Sequence, residues 1–275
     1  MLNILFLLLA GFLGFMLVQH LFIFVYLYIE TGLNKIYDSS YPTPSKQQLA
    51  KIFAQEFNYV LAKFYLYPLK FLNLNFSAQR SAKADSVVVL IHGFGRSQVD
   101  WLWFKRHLGH SKVYVVNLRP SAAPIEEISS NLELDLQQII KANNNPTLSL
   151  IGHSMGGIVA CYYAAELDTQ RHVKQIITLG SPLHGTKLAV AASGANMIQI
   201  RPQSAFLATL RTAIVHSKLT IFNIATKTDN LVFPWTSPLL ESTQTENTLI
   251  LESESHLGLI HNSQVIQQIK QWLSI

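Results

Sequence analysis

The hexapeptide Gly152-His153-Ser154-Met155-Gly156-Gly157 follows a β-rich run, residues 147–151, and opens a helix-forming stretch, residues 155–167. No other feature restricts the fold of this chain as tightly. A G-x-S-x-G turn between a strand and a helix is sharp and strained, and a side chain in place of either flanking glycine would clash. The turn lifts the serine oxygen above the end of the strand. The N–H groups opening the next helix favour negative charge at the same point. Ser154 is therefore the expected nucleophile, against the competing reading of an inert serine in a glycine-rich turn.

The surroundings fit such a turn. Short apolar runs rich in β-branched residues predict strands at 87–91, 112–117, 147–151, 173–179, 220–225 and 247–251. Helical spacing at 97–109, 125–142, 155–167 and 264–273 separates them. Strands alternating with helices predict an α/β fold, a mainly parallel sheet covered by helices on both faces. Chemistry on such a sheet gathers at the carboxyl ends of the strands. Residues 187–218 interrupt the alternation and predict a small helical cap with an apolar pocket beneath it.

A serine hydroxyl needs a base, and if the order along the chain is serine, acid, histidine, that base lies late in the chain. His256 lies just past the last strand and is the expected base, with His261 the alternative. Asp229, in Thr226-Lys227-Thr228-Asp229-Asn230, follows the preceding strand and is the expected acid. It would hold the imidazole tautomer and stabilise the imidazolium. Glu252 and Glu254, on the histidine's own loop, are the alternatives. An oxyanion needs preplaced donors. The backbone N–H groups of Phe94, in His92-Gly93-Phe94-Gly95, and of Met155 are the natural pair. His92 and His184 read as packed rings, and His153 points away from its neighbour on a tight elbow. This chemistry requires no metal or organic cofactor.

Composition separates the ends of the chain. Charged residues are 13% of the 275, and residues 1–29 hold none of them, against about 25% in an ordinary soluble chain. An apolar run of that length is enough to cross a bilayer as a helix, and Tyr26 and Tyr28 suit its interface. Residues 1–30 are expected to form a retained, single-pass transmembrane anchor. Lys35 and Lys46 are offset by Glu30 and Asp38, which leaves the side of the membrane undecided. Residues 31–85 read as a partly helical connector, with Ser45 placed to cap a helix from Lys46. Its aromatic stretch, residues 57–76, either lies on the bilayer surface or packs on the catalytic domain, residues 86–275. The net charge of +5 is scattered, which argues against a nucleic-acid partner. One cysteine, Cys161, rules out an intramolecular disulfide and cysteine-based zinc sites.

Taken together, His92-Gly93-Phe94-Gly95, the Ser154 hexapeptide, Ser181-Pro182-Leu183-His184-Gly185-Thr186, Arg201-Pro202-Gln203-Ser204-Ala205-Phe206-Leu207, Asp229 and His256 resemble the bacterial triacylglycerol lipase and esterase branch of the α/β hydrolases. The resemblance covers residues 86–275. It implies an α/β-hydrolase fold and cleavage of carboxylic esters through an acyl-enzyme. Ser154, Asp229 and His256 then form the triad, and Phe94 and Met155 the oxyanion hole. With the anchor, it implies a lipid or amphiphilic ester substrate at a membrane. An acyltransferase with the same residues is the alternative, and a non-catalytic membrane-anchored binding module a further one.

Overall fold

The computed structural model describes residues 2–39, 41–66, 86–109, 112–241 and 243–275. Among them six strands form one sheet: β1 (Ser86–Ile91), β2 (Val113–Val116), β3 (Thr147–His153), β4 (Val173–Leu179), β5 (Thr220–Thr226) and β6 (Thr248–Leu251). The order is β2-β1-β3-β4-β5-β6 and every pairing is parallel. Strands buried on both faces need not alternate apolar with polar residues, and Val87 to Ile91 are all apolar and all buried. Val87, Val89 and Ile91 face a core shared with Ile128, Leu132 and Leu136 of α4 (Ile125–Ala142) and Ile158 and Val159 of α5 (Met155–Tyr162). Val88 and Leu90 face a second core with Phe104 of α3 (Leu102–Leu108) and Ile266 and Ile269 of α8 (Ser263–Leu273). The two-residue period of a strand thus feeds both layers of helices.

Some elements differ in detail from the sequence reading. Residues 97–109 begin as a single 3-10 turn, Gln98–Trp101, before α3, which Gly109 ends at φ 73°. Only glycine takes that left-handed angle freely. The helix after Ser154 widens into a π turn over Tyr163–Leu167. Within 187–218 there is a 3-10 turn, Lys187–Val190, then α6 (Ala195–Gln199) and α7 (Ala205–Ser217). Leu207, Leu210 and Ile214 of α7 join the core beside α5, so α7 covers a flank of the sheet rather than its edge. Cys161 is fully buried, and burial pushes its thiol up to about 12.

The amino-terminal helices are tied to this body. Helix α1 (Leu2–Tyr37) runs on past residue 30 without a break. At ~1.5 Å per residue it exceeds the ~30 Å of a hydrocarbon core, so part of it must lie outside one. Among the described residues it is the one helix long and apolar enough to cross a membrane by length and composition. Phe24, Leu27 and Thr31 form a buried stripe at helical spacing. The two apolar ones pack with Ile52 of α2 (Lys46–Leu66) and with Phe233. Glu30, also buried, pairs with Lys187. Ser45 caps α2 in a reciprocal box with Gln48, each side chain bonding the other's backbone N–H at 3.2 and 2.8 Å. Helix α2 therefore packs on the body; residues 67–76 of the aromatic stretch, Pro68 included, lie outside the described residues.

Candidate active site

Parallel register brings the ends of β1 and β3 level, with Ile91 opposite Gly152. The His92-Gly93-Phe94 loop therefore lies beside the serine elbow. Ser154 adopts φ 56° and ψ −130°, a region that costs a non-glycine residue about 1–3 kcal/mol. Its N–H donates to the Leu179 carbonyl at 2.8 Å, which anchors the strained residue to β4. The glycines are forced by close approach. A Cβ on Gly156 would sit 2.4 Å from the Ile91 carbonyl oxygen, and one on Gly152 2.4 Å from the Gly157 nitrogen. Helix α5 can leave β3 this abruptly only if both positions lack a side chain.

The loops after β5 and β6 meet next to it. Asp229 is buried; its Oδ1 accepts the N–H groups of Leu231 and Val232, both at 2.8 Å. Its Oδ2 accepts from His256 Nδ1 at 2.9 Å. Where Nδ1 is the donor to this bond, Nε2 is the nitrogen turned away from Asp229. Two threonines stitch the loops together. The hydroxyls of Thr226 and Thr228 both donate to the Glu254 carbonyl, at 3.0 and 2.9 Å, and both accept from the Glu254 N–H, at 3.1 and 2.9 Å. The His256 carbonyl accepts from His153 Nε2 at 3.0 Å.

The alternatives from the sequence are engaged elsewhere. His261 stacks on Tyr59 of α2, with ring centroids 4.3 Å apart, and burial lowers it to about 4. Burial, then the adjacent His256, holds His153 well below the ordinary histidine range, which suits its role as a neutral donor to the His256 carbonyl. Glu252 is 76% exposed and pairs with Lys227 at 2.6 Å. Glu254 accepts from the Ser255 N–H at 3.0 Å and Asn262 Nδ2 at 2.8 Å. Among the described residues no cluster of three or more His, Cys, Asp or Glu is arranged to hold a metal ion. His92 is buried, with Nδ1 donating to the Gly93 carbonyl at 2.9 Å and Nε2 accepting the Leu118 N–H at 3.1 Å. His184 Nδ1 donates to the Ser237 carbonyl at 3.1 Å.

Ser154, His256, Phe94 and Met155 all line one cavity of about 200 Å³. Asp229 lies behind His256. Met155 is the first residue of α5, where backbone N–H groups have no partner within the helix. The rest of the wall is largely apolar: Pro182, Leu188, Ala189, Met197, Ile200 and Val232 among others. Of the insertion, only the portion before α7 reaches this space. One residue absent from the sequence reading also touches the site. Glu56 of α2 accepts from Asn230 Nδ2 at 3.2 Å and from the Leu257 N–H at 3.1 Å. Its signal was a carboxylate four residues after Ile52, on the face of α2 that the body buries.

Comparison with known proteins adds the family. Residues 86–252 match the model of the alpha/beta hydrolase fold. The mature form of the Bacillus licheniformis lipase BlEst2 superposes with a TM-score of 0.60 at 16% identity, over 71% of this chain and 94% of that one. Aspergillus fumigatus lipase B gives 0.54 at 16% identity, over 66% of this chain and 51% of that one. A structure from the metagenome-derived lipolytic enzymes LipS and LipT gives 0.54 at 12%, over 73% and 97%. At such identities these structures speak to the fold, while the family match spans more than half the chain, and together they show that the chain belongs to the α/β-hydrolase family.

Proposed function

We propose that this protein is a serine hydrolase that cleaves carboxylic esters through an acyl-enzyme, with Ser154 as nucleophile, His256 as base and Asp229 as its orienting acid. The observation that carries the reading is the Asp229–His256 hydrogen bond behind a cavity shared by His256 and a strained Ser154. His256 Nε2 takes the Ser154 proton as the serine oxygen attacks the ester carbonyl. The N–H groups of Phe94 and Met155 hold the oxyanion, each worth roughly 3 kcal/mol in the transition state. Collapse expels the alcohol, which takes the proton from His256. Water, deprotonated by the same ring, then releases the acid and restores Ser154. The lipolytic names of the similar structures agree with this chemistry.

The cavity bears on the substrate. About 200 Å³ is below the ~300–1,000 Å³ of sites that enclose a drug-sized ligand, and its walls are largely apolar. A short acyl chain fits inside, with the alcohol portion outside. The test combines a fluorophosphonate probe with a series of p-nitrophenyl esters. The probe should add to Ser154, mapped by mass spectrometry, and kcat/KM should be at least about tenfold higher for butyrate than for palmitate. Absence of labelling would sink the hydrolase reading; a palmitate preference would sink the acyl assignment alone.

We also infer a single-pass anchor in α1. Between residues 10 and 18 its exposed side chains are apolar, Phe12, Phe15, Leu17 and Val18 among them. From Phe24 onward one face is docked on the body, and Glu30 pairs with Lys187 at the start of the cap. A segment so tied to the folded domain suits a retained helix better than a cleaved leader. Deleting residues 2–19 should move the protein from the membrane fraction to the soluble fraction, with butyrate hydrolysis within about twofold of the full chain. The docked stripe lies beyond the cut, and surface changes usually cost within ±0.5 kcal/mol. Continued sedimentation with membranes would place the attachment elsewhere.

A further inference from the structure

Glu56 lies in the middle of α2, outside the stretch matched by the family model. It is only 2% exposed. A buried carboxylate is costly unless its oxygens are hydrogen-bonded, and among the described residues no cation pairs with it. Both of its bonds instead go to the two loops that carry Asp229 and His256. Oε2 accepts the N–H of Leu257, the residue after His256, at 3.1 Å. Oε1 accepts from Asn230 Nδ2 at 3.2 Å, and Asn230 Oδ1 accepts the N–H of His256 itself at 2.9 Å. The peptide groups on both sides of the His256 α-carbon are thus held by one carboxylate, directly on one side and through Asn230 on the other. Asn230 is also the neighbour of Asp229 in the chain.

We propose that Glu56 is a positioning residue for the reaction: it closes a ring through Asn230, Asp229, His256 and Leu257 that sets the height and tilt of the imidazole. The inference rests on the reading of Ser154, Asp229 and His256 as the catalytic residues. It makes α2 part of the site. The chemistry of the donors explains why a glutamate stands there. Two N–H groups converge on it from different loops, and a carboxylate is acceptor-only at both oxygens. Glutamine offers one acceptor and one donor, so one loop would face N–H against N–H. That loop must then move or leave a buried donor unpaired, and the ring it carries moves with it. Most of the acyl pocket would be little affected, because Leu188, Ala189, Met197 and Ile200 lie on other elements and only Leu231 and Val232 of its apolar wall share the Asn230 loop.

The test uses the full-length chain in detergent with p-nitrophenyl butyrate. Glu56→Gln should lower kcat by about 100-fold, the scale of a 1 Å misplacement at a reacting centre, and leave KM within about threefold, since most of the pocket wall lies on other elements. Combining it with Asn230→Ala should give a loss well short of the product of the two single losses, because both act on the same backbone. A kcat within about twofold of wild type, or losses that multiply, would overturn the proposal. So would a lowered thermal midpoint with unchanged kcat per fluorophosphonate-labelled site, since that is stability alone. If Glu56→Gln does not fold, Glu56→Asp is read instead. It keeps two acceptors but sets them back one methylene, and should lose about tenfold in kcat at unchanged KM; full kcat would overturn the proposal. A wild-type chain that hydrolyses butyrate and is labelled on Ser154 while Glu56→Gln is fully active rejects this inference and leaves the proposed function standing. An unlabelled, inactive wild type rejects the function itself.

Discussion

Replacing Ser154 by alanine will reduce kcat for p-nitrophenyl butyrate by a factor on the order of 10⁶, to the rate left by binding and the oxyanion donors alone. The size follows from how the residues act. Without the hydroxyl there is no acyl-enzyme, and a well-oriented His256 has nothing to deprotonate but water. The fold should survive, because alanine at Ser154 removes a single side-chain oxygen while the N–H bond to Leu179 remains. Residual activity above a few per cent would show that another group attacks the ester.

The next largest effect is expected at Asp229. Asp229→Asn is nearly isosteric, and its side-chain oxygen can still accept from Leu231 and Val232. Its amide nitrogen then faces His256 Nδ1 where a carboxylate oxygen stood. A donor there selects the tautomer protonated at Nε2, and the nitrogen meant to accept the serine proton already carries one. Loss of kcat by about 10⁴-fold is the expected result, the scale of such a tautomer error in other serine hydrolases. Glu252→Gln is the control. That residue is exposed and, among the described residues, pairs with Lys227, a kind of pair worth about 0–1 kcal/mol, so activity should stay near wild type. A larger loss at Glu252 than at Asp229 would move the acid to the histidine's own loop.

The contrast between these two carboxylates shows what was legible from residue order. Asp229, Glu252 and Glu254 were all candidates because each follows a strand near His256. The hydrogen bonds separate them: Glu252 turns to solvent and Lys227, Glu254 secures its own loop through Ser255 and Asn262, and Asp229 meets the imidazole. His256 and His261 are likewise five residues apart with similar local surroundings. They diverge because the 3-10 turn Gly258–His261 carries the second ring to Tyr59, about two hundred residues earlier in the chain. No short-range pattern encodes such a partner.

The elbow is the opposite case. The order of strand, glycine, serine, glycine and helix in residues 147–167 dictated Ser154's exposure above the sheet, because backbone sterics act within a few residues and depend on side chains present or absent there. The same locality made the parallel body readable: β-branched runs and helical spacing are local signals, and their alternation permits few layer arrangements. Long-range choices were left to the tertiary structure. It decided that α7 covers a flank while residues before it close the cavity, and that α1 docks through Phe24, Leu27 and Glu30 beside Phe233 and Lys187. It also decided that Glu56 reaches the loops of Asp229 and His256. Those outcomes depend on which buried donors meet which acceptors after the chain has collapsed, and a buried carboxylate is tolerated only where the folded chain delivers N–H groups to it.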